Sequence, residues 1–168
     1  MKRKLLLVGL SCCFLLTSCA EKKYSNNQSQ TISDITVTVN EDLTIKGKEF
    51  TLDSYSGMEY GETYASILGG TLKIEVESTE KGEVKKVDKN EYRLTTTYYT
   101  VQMNITGVEL DSATKQSIVQ SLETSINLSS EDTKKLVNGE VVEVELDEDD
   151  YRVNYILVDD EYLTFKVQ

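Results

Sequence analysis

The sequence contains no histidine, no tryptophan and no proline, and its three cysteines all lie at or before position 19. Without histidine, a Ser-His-Asp triad and the zinc sites built from cysteine and histidine are both excluded. Downstream of Cys19 no thiol remains to act as a nucleophile or to form a disulfide. We therefore expect a domain that is stabilised by its packed core alone, that carries no cofactor and that is not an enzyme.

The first residues have the organisation of a signal peptide. Lys2, Arg3 and Lys4 form a positive region, and the apolar run Leu5–Leu16 follows it. That run is shorter than the ~20 residues that a helix needs to cross a bilayer, which is typical of a cleaved signal rather than a permanent span. The string LTSC at positions 16–19 comes directly after it and resembles the lipobox of bacterial lipoproteins.

The resemblance to the lipoprotein signal family implies that the Cys19 thiol carries a diacylglycerol and that the chain is cut between Ser18 and Cys19. Residues 1–18 are then the signal peptide. The alternatives are an ordinary signal peptide with a cysteine by chance, or a short uncleaved anchor. Since two acyl chains hold a protein stably at a membrane, the expected location is the extracytoplasmic face of the cell membrane. The abundance of Lys, Asn and Tyr favours a Gram-positive producer, and in a Gram-negative one Ala20 favours the outer membrane.

The chain is strongly acidic, with a formal net charge of −11. Removal of Lys2, Arg3 and Lys4 with the signal leaves 15 basic residues against 29 acidic ones, a net charge of −14. Phosphate groups of nucleic acids and anionic lipid headgroups repel such a domain. We therefore expect no nucleic-acid partner, and a membrane attachment that comes from the lipid rather than from a basic patch.

The remaining sequence divides into a polar segment and one domain. Residues 19–33 are rich in Ser, Asn and Gln, which predicts a lipidated terminus followed by a flexible tether. Residues 34–168 are dominated by a two-residue alternation of apolar and polar side chains, which predicts a single β-rich domain. Turn-forming residues predict a turn at Asn40–Asp42, a second at 78–82 and an irregular stretch between Gly57 and Gly61.

The pattern over residues 91–106 changes phase. The residues expected to share the buried face are even-numbered up to Thr96 and odd-numbered from Val101 onward. Because a regular strand cannot change parity, we predict a β-bulge near Thr97–Tyr99. Helical spacing then predicts a helix over 111–126 with Asp111 or Ser112 as its N-cap. The remaining elements are a shorter helix at 130–138 with Ser130 as its N-cap and strands at 141–146, 151–158 and 163–167, with the turns DEDD and DDE between them.

The predicted fold class is mostly β (α+β), an antiparallel meander of about nine strands, barrel-like or a curved sheet, with one main helix near 111–126. The stretch Gly70–Thr100 and the closing sequence NYILVDDEYLTF resemble the small lipocalin-like barrels of bacterial lipoproteins. The resemblance implies a closed β-barrel. The alternative is an open antiparallel sheet covered by the helix.

One acidic stretch could bind a metal ion. Alternation places Glu143, Glu145 and Asp147 along one face of a strand about 7 Å apart, with Asp149 and Asp150 at the following turn. Hard cations such as calcium take several oxygen ligands. These five residues are the candidate metal ligands, and the alternative is the solvated face of a half-buried sheet. With so many acids some carboxylate pair will meet the separation that a glycosidase needs, but nothing else in the sequence supports that chemistry.

Ten tyrosines take the place of tryptophan. Tyr55, Tyr60 and Tyr64 fall together in the glycine-flanked stretch, which makes them candidates for contacting a ligand or a partner. The alternative is that they cover the edge of a sheet with a thin core.

The sequence leaves three functional hypotheses for a membrane-anchored, non-catalytic binding protein. In the first, a lipocalin-like barrel holds a small apolar ligand in a cavity. The lining of that cavity would include Ile74, Val76, Leu94, Val101 and Met103. In the second, the core is filled and the domain contacts a cell-envelope protein through the segment that contains the three tyrosines. In the third, the acidic strand binds a divalent cation.

Overall fold

The computed structural model describes residues 21–122, 128–158 and 163–167. The strands are β1 (Lys22–Ile32), β2 (Ile35–Lys46), β3 (Glu49–Tyr60), β4 (Lys73–Lys86), β5 (Glu91–Thr106), β6 (Val142–Glu145), β7 (Arg152–Val158) and β8 (Leu163–Val167). The helices are α1 (Glu62–Leu68), α2 (Ser112–Leu122) and α3 (Ser130–Val137), and a short 3-10 helix covers Glu148–Asp150. The signal peptide, Cys19, the end of the predicted main helix and the predicted turn DDE lie outside the described residues.

The strands form one eight-stranded antiparallel sheet. β1 to β5 pair in sequence, and β5 is the branch point of the sheet. On its free side, β5 pairs with β7 through residues 91–96 and with β6 through residues 98–101, and β7 then pairs with β8. Within the described residues β1 and β8 are not hydrogen-bonded to each other. The fold is therefore the predicted antiparallel meander, with eight strands rather than nine, and the closed barrel is not confirmed.

β5 contains the predicted bulge. The register between β4 and β5 shifts between Lys81 and Gly82, so that Thr97 is the extra residue on β5. The backbone carbonyl of Thr97 accepts a hydrogen bond of 2.9 Å from the N–H of Leu146. The extra residue restores the phase of the strand, since the odd-numbered side chains from Tyr99 onward lie on the same face as the even-numbered ones before it.

The sheet is strongly curved. The rings of Tyr24 on β1 and Tyr92 on β5 lie 6.4 Å apart between centroids. In a flat sheet four strand spacings would separate them by ~19 Å. The ammonium of Lys22 also lies 6.0 Å from the centre of the Tyr92 ring. We call the face that turns inward the inner face and the opposite one the outer face.

The inner face carries two apolar clusters. The first contains Leu43, Ile45, Phe50, Leu52, Tyr92, Leu94, Ile156 and Val158. The second contains Tyr99, Val101, Met103, Val119, Leu136 and Val142. Val119 and Leu136 come from α2 and α3, so the two helices cover the part of the sheet that lies beyond the bulge. The core is thus divided between a half where strands face each other and a half where helices face strands.

The predicted main helix is confirmed as α2 over the described residues. The carboxylate of Asp111 accepts a hydrogen bond of 2.8 Å from the N–H of Thr114, as an N-cap does. This hydrogen bond lowers the pKa of Asp111. No helix in the described parts of the chain is both long and apolar enough to cross a membrane.

The shorter helix α3 is confirmed, but its N-cap is Ser129 rather than the predicted Ser130. The Ser129 hydroxyl accepts a hydrogen bond of 3.1 Å from the N–H of Asp132 and donates one of 2.6 Å to its carboxylate. We expect Ser129→Ala to lower the free energy of unfolding by ~1 kcal/mol, a fall of ~3 °C in Tm, measured by circular dichroism. Ser130→Ala is the matched control and should change stability by less than ~0.5 kcal/mol. The reverse order would show that Ser130 is the cap.

The segment predicted as a tether is strand β1 over residues 22–32, so that prediction is wrong there. β1 pairs with β2 along its whole length. Its Ser, Asn and Gln side chains remain largely exposed because β1 is an edge strand, and only Asn26 is buried. Backbone hydrogen bonds and one neighbouring strand therefore order a segment whose composition alone predicts disorder.

Three predicted interruptions are also wrong. Residues 40–42 lie within β2, residues 57–60 within β3 and residues 78–82 within β4. β2, β3 and β4 each have a paired strand on both sides, so the backbone groups of these residues are hydrogen-bonded in the sheet. Their polar side chains are accommodated on the outer face or in hydrogen-bonded positions. Helix α1 was not predicted.

Candidate functional site

Two rows of side chains cross the outer face of the sheet from β2 to β5. The first row contains Asp42, Asp53, Thr79 and Thr100, each opposite the next in the strand register. The second row contains Asn40, Tyr55, Glu77 and Gln102. These rows, with Val141 beside them, line an open depression with a volume of ≈ 390 Å³. We call it the outer-face groove.

Tyr55 is held in one position at this groove. Its hydroxyl donates a hydrogen bond of 2.8 Å to Glu75, and the ammonium of Lys73 lies 2.8 Å from the same carboxylate oxygen. The hydrogen bonds from Lys73 and Tyr55 lower the pKa of Glu75. A Cβ atom at Gly57 would come within 2.7 Å of the Tyr55 hydroxyl. Glycine at this position therefore lets the tyrosine ring lie along the sheet.

The groove has an acidic lining. Asp42 and Asp53 are directly opposite each other, and like charges in that arrangement are destabilising. The hydroxyl of Thr79 donates a hydrogen bond of 2.6 Å to Asp53. None of Asp42, Asp53 and Glu77 takes part in a salt bridge within the described chain. The groove consequently presents a negative potential that favours cationic groups.

The three tyrosines predicted to form one site lie in two places. The rings of Tyr60 and Tyr64 meet edge to face with centroids 5.4 Å apart, where β3 leads into α1. Tyr55 lies five residues before Tyr60, about 16 Å away along the strand and on the opposite face of the sheet. Only Tyr55 lines the groove.

The structure spreads the five predicted metal ligands along a strand and the turn that follows it. Glu143 and Glu145 are exposed on β6, and Asp147, Asp149 and Asp150 are exposed at the following turn. In the described residues no group of three or more acidic side chains is arranged to hold a metal ion. Strand alternation spaces the two glutamates along an edge rather than around a point. Glu143, opposite Thr100 in the register, instead continues the first row of the groove onto the next strand.

A second polar group lies at the centre of the inner face, around Glu80. This side chain is buried, and its carboxylate accepts a hydrogen bond of 2.6 Å from the Thr96 hydroxyl. It also lies 3.4 Å from the guanidinium of Arg152, which in turn is 5.6 Å from the centre of the Tyr99 ring. With these partners the charge of Glu80 is compensated inside the fold, which is a structural arrangement.

Glu41 is the less compensated of the two inner-face carboxylates. It accepts a hydrogen bond of 2.8 Å from the side-chain amide of Asn26. Burial raises the pKa of Glu41, the Asn26 hydrogen bond opposes that rise, and the nearby Glu80 adds to it. Ionised Glu41 therefore weakens folding above its raised pKa.

We expect Glu41→Gln to raise the Tm at pH 7 by ~2 °C, because glutamine keeps the shape of the side chain and removes a half-buried charge. The folded state binds the Glu41 proton more tightly than the unfolded state does. The gain in Tm should therefore shrink as the pH falls through the raised pKa and vanish below the ordinary carboxyl pKa. Thermal melts across that pH range measure it. Glu49→Gln, at an exposed position, is the control for the loss of one carboxylate and should change stability at pH 7 by less than ~0.5 kcal/mol. A gain that persists at low pH would contradict the assignment.

No family model, curated protein or solved structure matches this chain.

Most residues of the groove were not predicted from the sequence. The composition of residues 40–42 predicts a turn, whereas the alternation of the flanking residues indicates a continuous strand. The odd-numbered apolar residues of Ile35–Val39 continue in the same phase at Leu43 and Ile45, with only Glu41 interrupting them. Extending that alternation through Glu41 places Asn40 and Asp42 on the outer face.

Proposed function

We propose that the protein is a bacterial lipoprotein, held at the extracytoplasmic face of the membrane by lipid on Cys19, whose β domain acts by surface contact rather than by catalysis. Its contact site is the outer-face groove, and the partner is a basic segment of a cell-envelope protein. The lipobox sequence at positions 16–19 supports the anchor. The groove and the packing of the inner face support the mode of action.

The packing of the inner face is the observation that carries this proposal. Leu94 lies in the first apolar cluster, and Val101 and Met103 lie in the second. Ile74 and Val76 pack against the second cluster. The side chains expected to line a ligand cavity are thus packed against other apolar side chains, which supports the filled-core hypothesis rather than an apolar ligand in a barrel.

Charge complementarity selects the partner. The chain has a net charge of −11, and part of its acidic charge, on Asp42, Asp53 and Glu77, lines the groove around Tyr55. A lysine or arginine side chain can pair with these carboxylates and lie against the Tyr55 ring. A segment with several basic residues would match both rows at once.

The anchor is tested by metabolic labelling with a palmitate analogue and by membrane fractionation. The unmodified chain should be labelled and should sediment with membranes. Cys19→Ala should lose both properties, because no other attachment is proposed. Cys13→Ala, which lies within the signal, is the matched control and should retain both. An unlabelled chain, or a Cys19→Ala variant that still fractionates with membranes, would refute the anchor.

The groove is tested by calorimetric titration of the full chain with hexalysine at low salt. Asp53→Asn with Glu77→Gln should weaken binding about fivefold, as expected for two exposed charge pairs of ~0.5 kcal/mol each. Glu62→Gln with Glu109→Gln removes the same charge from exposed positions outside the groove and should have less than a twofold effect. Equal effects of the two variants would show that the peptide responds only to net charge, and the groove would be rejected.

A further inference from the structure

A belt of polar side chains crosses the inner face between the two apolar clusters. The strand register places six of them on that face: Asn26 on β1, Glu41 on β2, Glu80 on β4, Thr96 on β5, and Arg152 and Asn154 on β7. We call these six residues the polar belt. Four of them are buried. Buried polar groups need hydrogen-bond partners, so the partners of each member decide what the belt can do.

The side-chain amide of Asn154 has no such partner in the described chain. Asn154 is only 9% exposed, and it lies opposite the fully buried Leu94, so its amide points into the interior. A primary amide both donates and accepts hydrogen bonds. Leaving these bonds unmade in a buried position costs free energy. The amide of Asn154 is therefore free to bind another polar group.

The carboxylate of Glu41 also has free acceptor capacity. It accepts a hydrogen bond of 2.8 Å from Asn26, and no lysine or arginine of the described chain forms an ion pair with it. Arg152 is paired with Glu80 instead. Burial raises the pKa of Glu41, and the charge of Glu80 adds to the rise. Two carboxylates against one guanidinium leave the belt with one negative charge that is not compensated.

The curvature of the sheet brings the two ends of the belt toward each other. Tyr24 on β1 and Tyr92 on β5 face each other across the interior, with ring centroids 6.4 Å apart. β1 and β5 run in the same direction. The next inward residue of β1 is opposite Glu41, and the next inward residue of β5 is opposite Asn154. The free carboxylate and the free amide therefore face the same part of the interior.

The inner face is open to solvent beside Glu41. Ser56 points inward on β3, about 7 Å further along the sheet, and is nevertheless exposed. Val37, Val39 and Met58 lie on the same part of the inner face and are only half-buried. Among the described residues, these three belong to neither apolar cluster. A short apolar strip consequently leads from solvent to the carboxylate of Glu41.

We propose that the polar belt binds a small molecule that carries a primary ammonium group on a short aliphatic chain. The ammonium donates hydrogen bonds to the carboxylate of Glu41 and to the amide oxygen of Asn154, and it neutralises the remaining charge of the belt. The aliphatic chain lies along the apolar strip. A bare metal ion would make no use of that strip, and a neutral molecule would leave the charge of Glu41 unpaired. This site lies on the opposite face of the sheet from the outer-face groove.

The test is a thermal melt of the full chain with n-butylammonium chloride as the probe. A Kd of ~1 mM is expected for so small a ligand. Butylammonium at about 20 mM should then raise the Tm by ~5 °C. Potassium chloride and n-butanol at the same concentration supply the charge and the alkyl chain separately, and each should raise the Tm by less than ~1 °C.

Two variants show where the probe binds. Glu41→Gln removes the charged partner of the ammonium and should weaken binding about tenfold or more, which reduces the rise in Tm to ~2 °C or less. Asp53→Asn with Glu77→Gln changes the outer-face groove and should leave the full rise. A rise that persists in Glu41→Gln, or that is lost in the groove variant, would overturn the proposal.

Nuclear magnetic resonance supplies an independent measurement of the location. The side-chain amide resonances of Asn154 should move during the titration, while those of Asn27, exposed on β1, should stay in place. Unmoved Asn154 resonances, an unchanged Tm or an equal rise with potassium would each refute this site. None of these measurements depends on Cys19 or on hexalysine binding, so the result leaves the proposed anchor and groove to their own tests.

Discussion

Replacing Leu94 with alanine should lower the free energy of unfolding by ~3 kcal/mol and the Tm by ~10 °C. Leu94 is fully buried, with 0% of its surface exposed, in the first apolar cluster. β5 is paired on both sides at this position, with Val84 of β4 and Asn154 of β7 opposite it. Because both neighbours are fixed by backbone hydrogen bonds, the sheet cannot collapse into the cavity. Urea denaturation and thermal melts measure the loss.

Ile67→Ala is the control for this substitution. It also truncates an aliphatic side chain, but Ile67 is 78% exposed on α1 and should change stability by less than ~0.5 kcal/mol. A loss below ~1 kcal/mol for Leu94→Ala would mean that the inner face is loosely packed. That result would remove the support for a filled core and return the apolar-ligand hypothesis to first place.

Replacing Gly82 with alanine should cost ~3 kcal/mol, through steric overlap rather than through a cavity. Gly82 lies on β4 directly opposite the bulge of β5. A Cβ atom there would collide with the backbone carbonyl oxygen of Thr95 and contact the Cα of Thr96 at 3.0 Å. Since these are backbone atoms of a strand paired on both sides, no side-chain rotation can relieve the overlap. Chemical denaturation measures the cost.

Gly47→Ala separates this overlap from the general cost of replacing glycine. Gly47 has a φ of +66° and no atom within 4 Å of a built Cβ, so alanine there carries only the left-handed backbone penalty of ~1 kcal/mol. Amide chemical shifts of β5 should move in Gly82→Ala and stay unchanged in Gly47→Ala. If both variants lose the same stability, the close approach of the two strands at the bulge is wrong.

The parts of the fold that could be predicted are those where periodicity and burial agree. The bulge at Thr97 followed from a change of parity that a half-buried strand cannot otherwise accommodate. Helix α2 and the strands after it were likewise located from spacing and turn residues. In these segments the spacing of the apolar residues matches the face that is buried in the structure.

The parts that could not be predicted are those where pairing overrides composition. β1 has almost no apolar residue to bury and is ordered by β2. The composition of residues 78–82 predicts a turn, but these residues lie within β4. Gly82 lies opposite the bulge, where a side chain would overlap the backbone of β5. Glu80 is bound by Thr96 and Arg152. Neither reason is visible in a local window, because both depend on strands that come later in the chain.

The candidate site divides in the same way. Tyr55 was singled out from its residue type, and the structure places it in the groove. Its acidic neighbours Asp42, Asp53 and Glu77 come from three different strands and meet only through the register. Charge that is dispersed along a sequence becomes a surface only when the sheet is assembled.

The branching of β5 has a consequence for the order in which the strands of the sheet assemble. β1 to β5 form from neighbouring segments with short connections, whereas β7 reaches β5 only after α2, α3 and β6 have intervened. Closing such a long intervening segment is slower than forming a hairpin. Until β7 has formed and reached β5, the edge of β5 at 91–96 therefore lacks its final neighbour. A strand of another molecule attaches most readily to an unpaired edge. The chain is therefore most prone to intermolecular misassembly before β7 pairs with this part of β5.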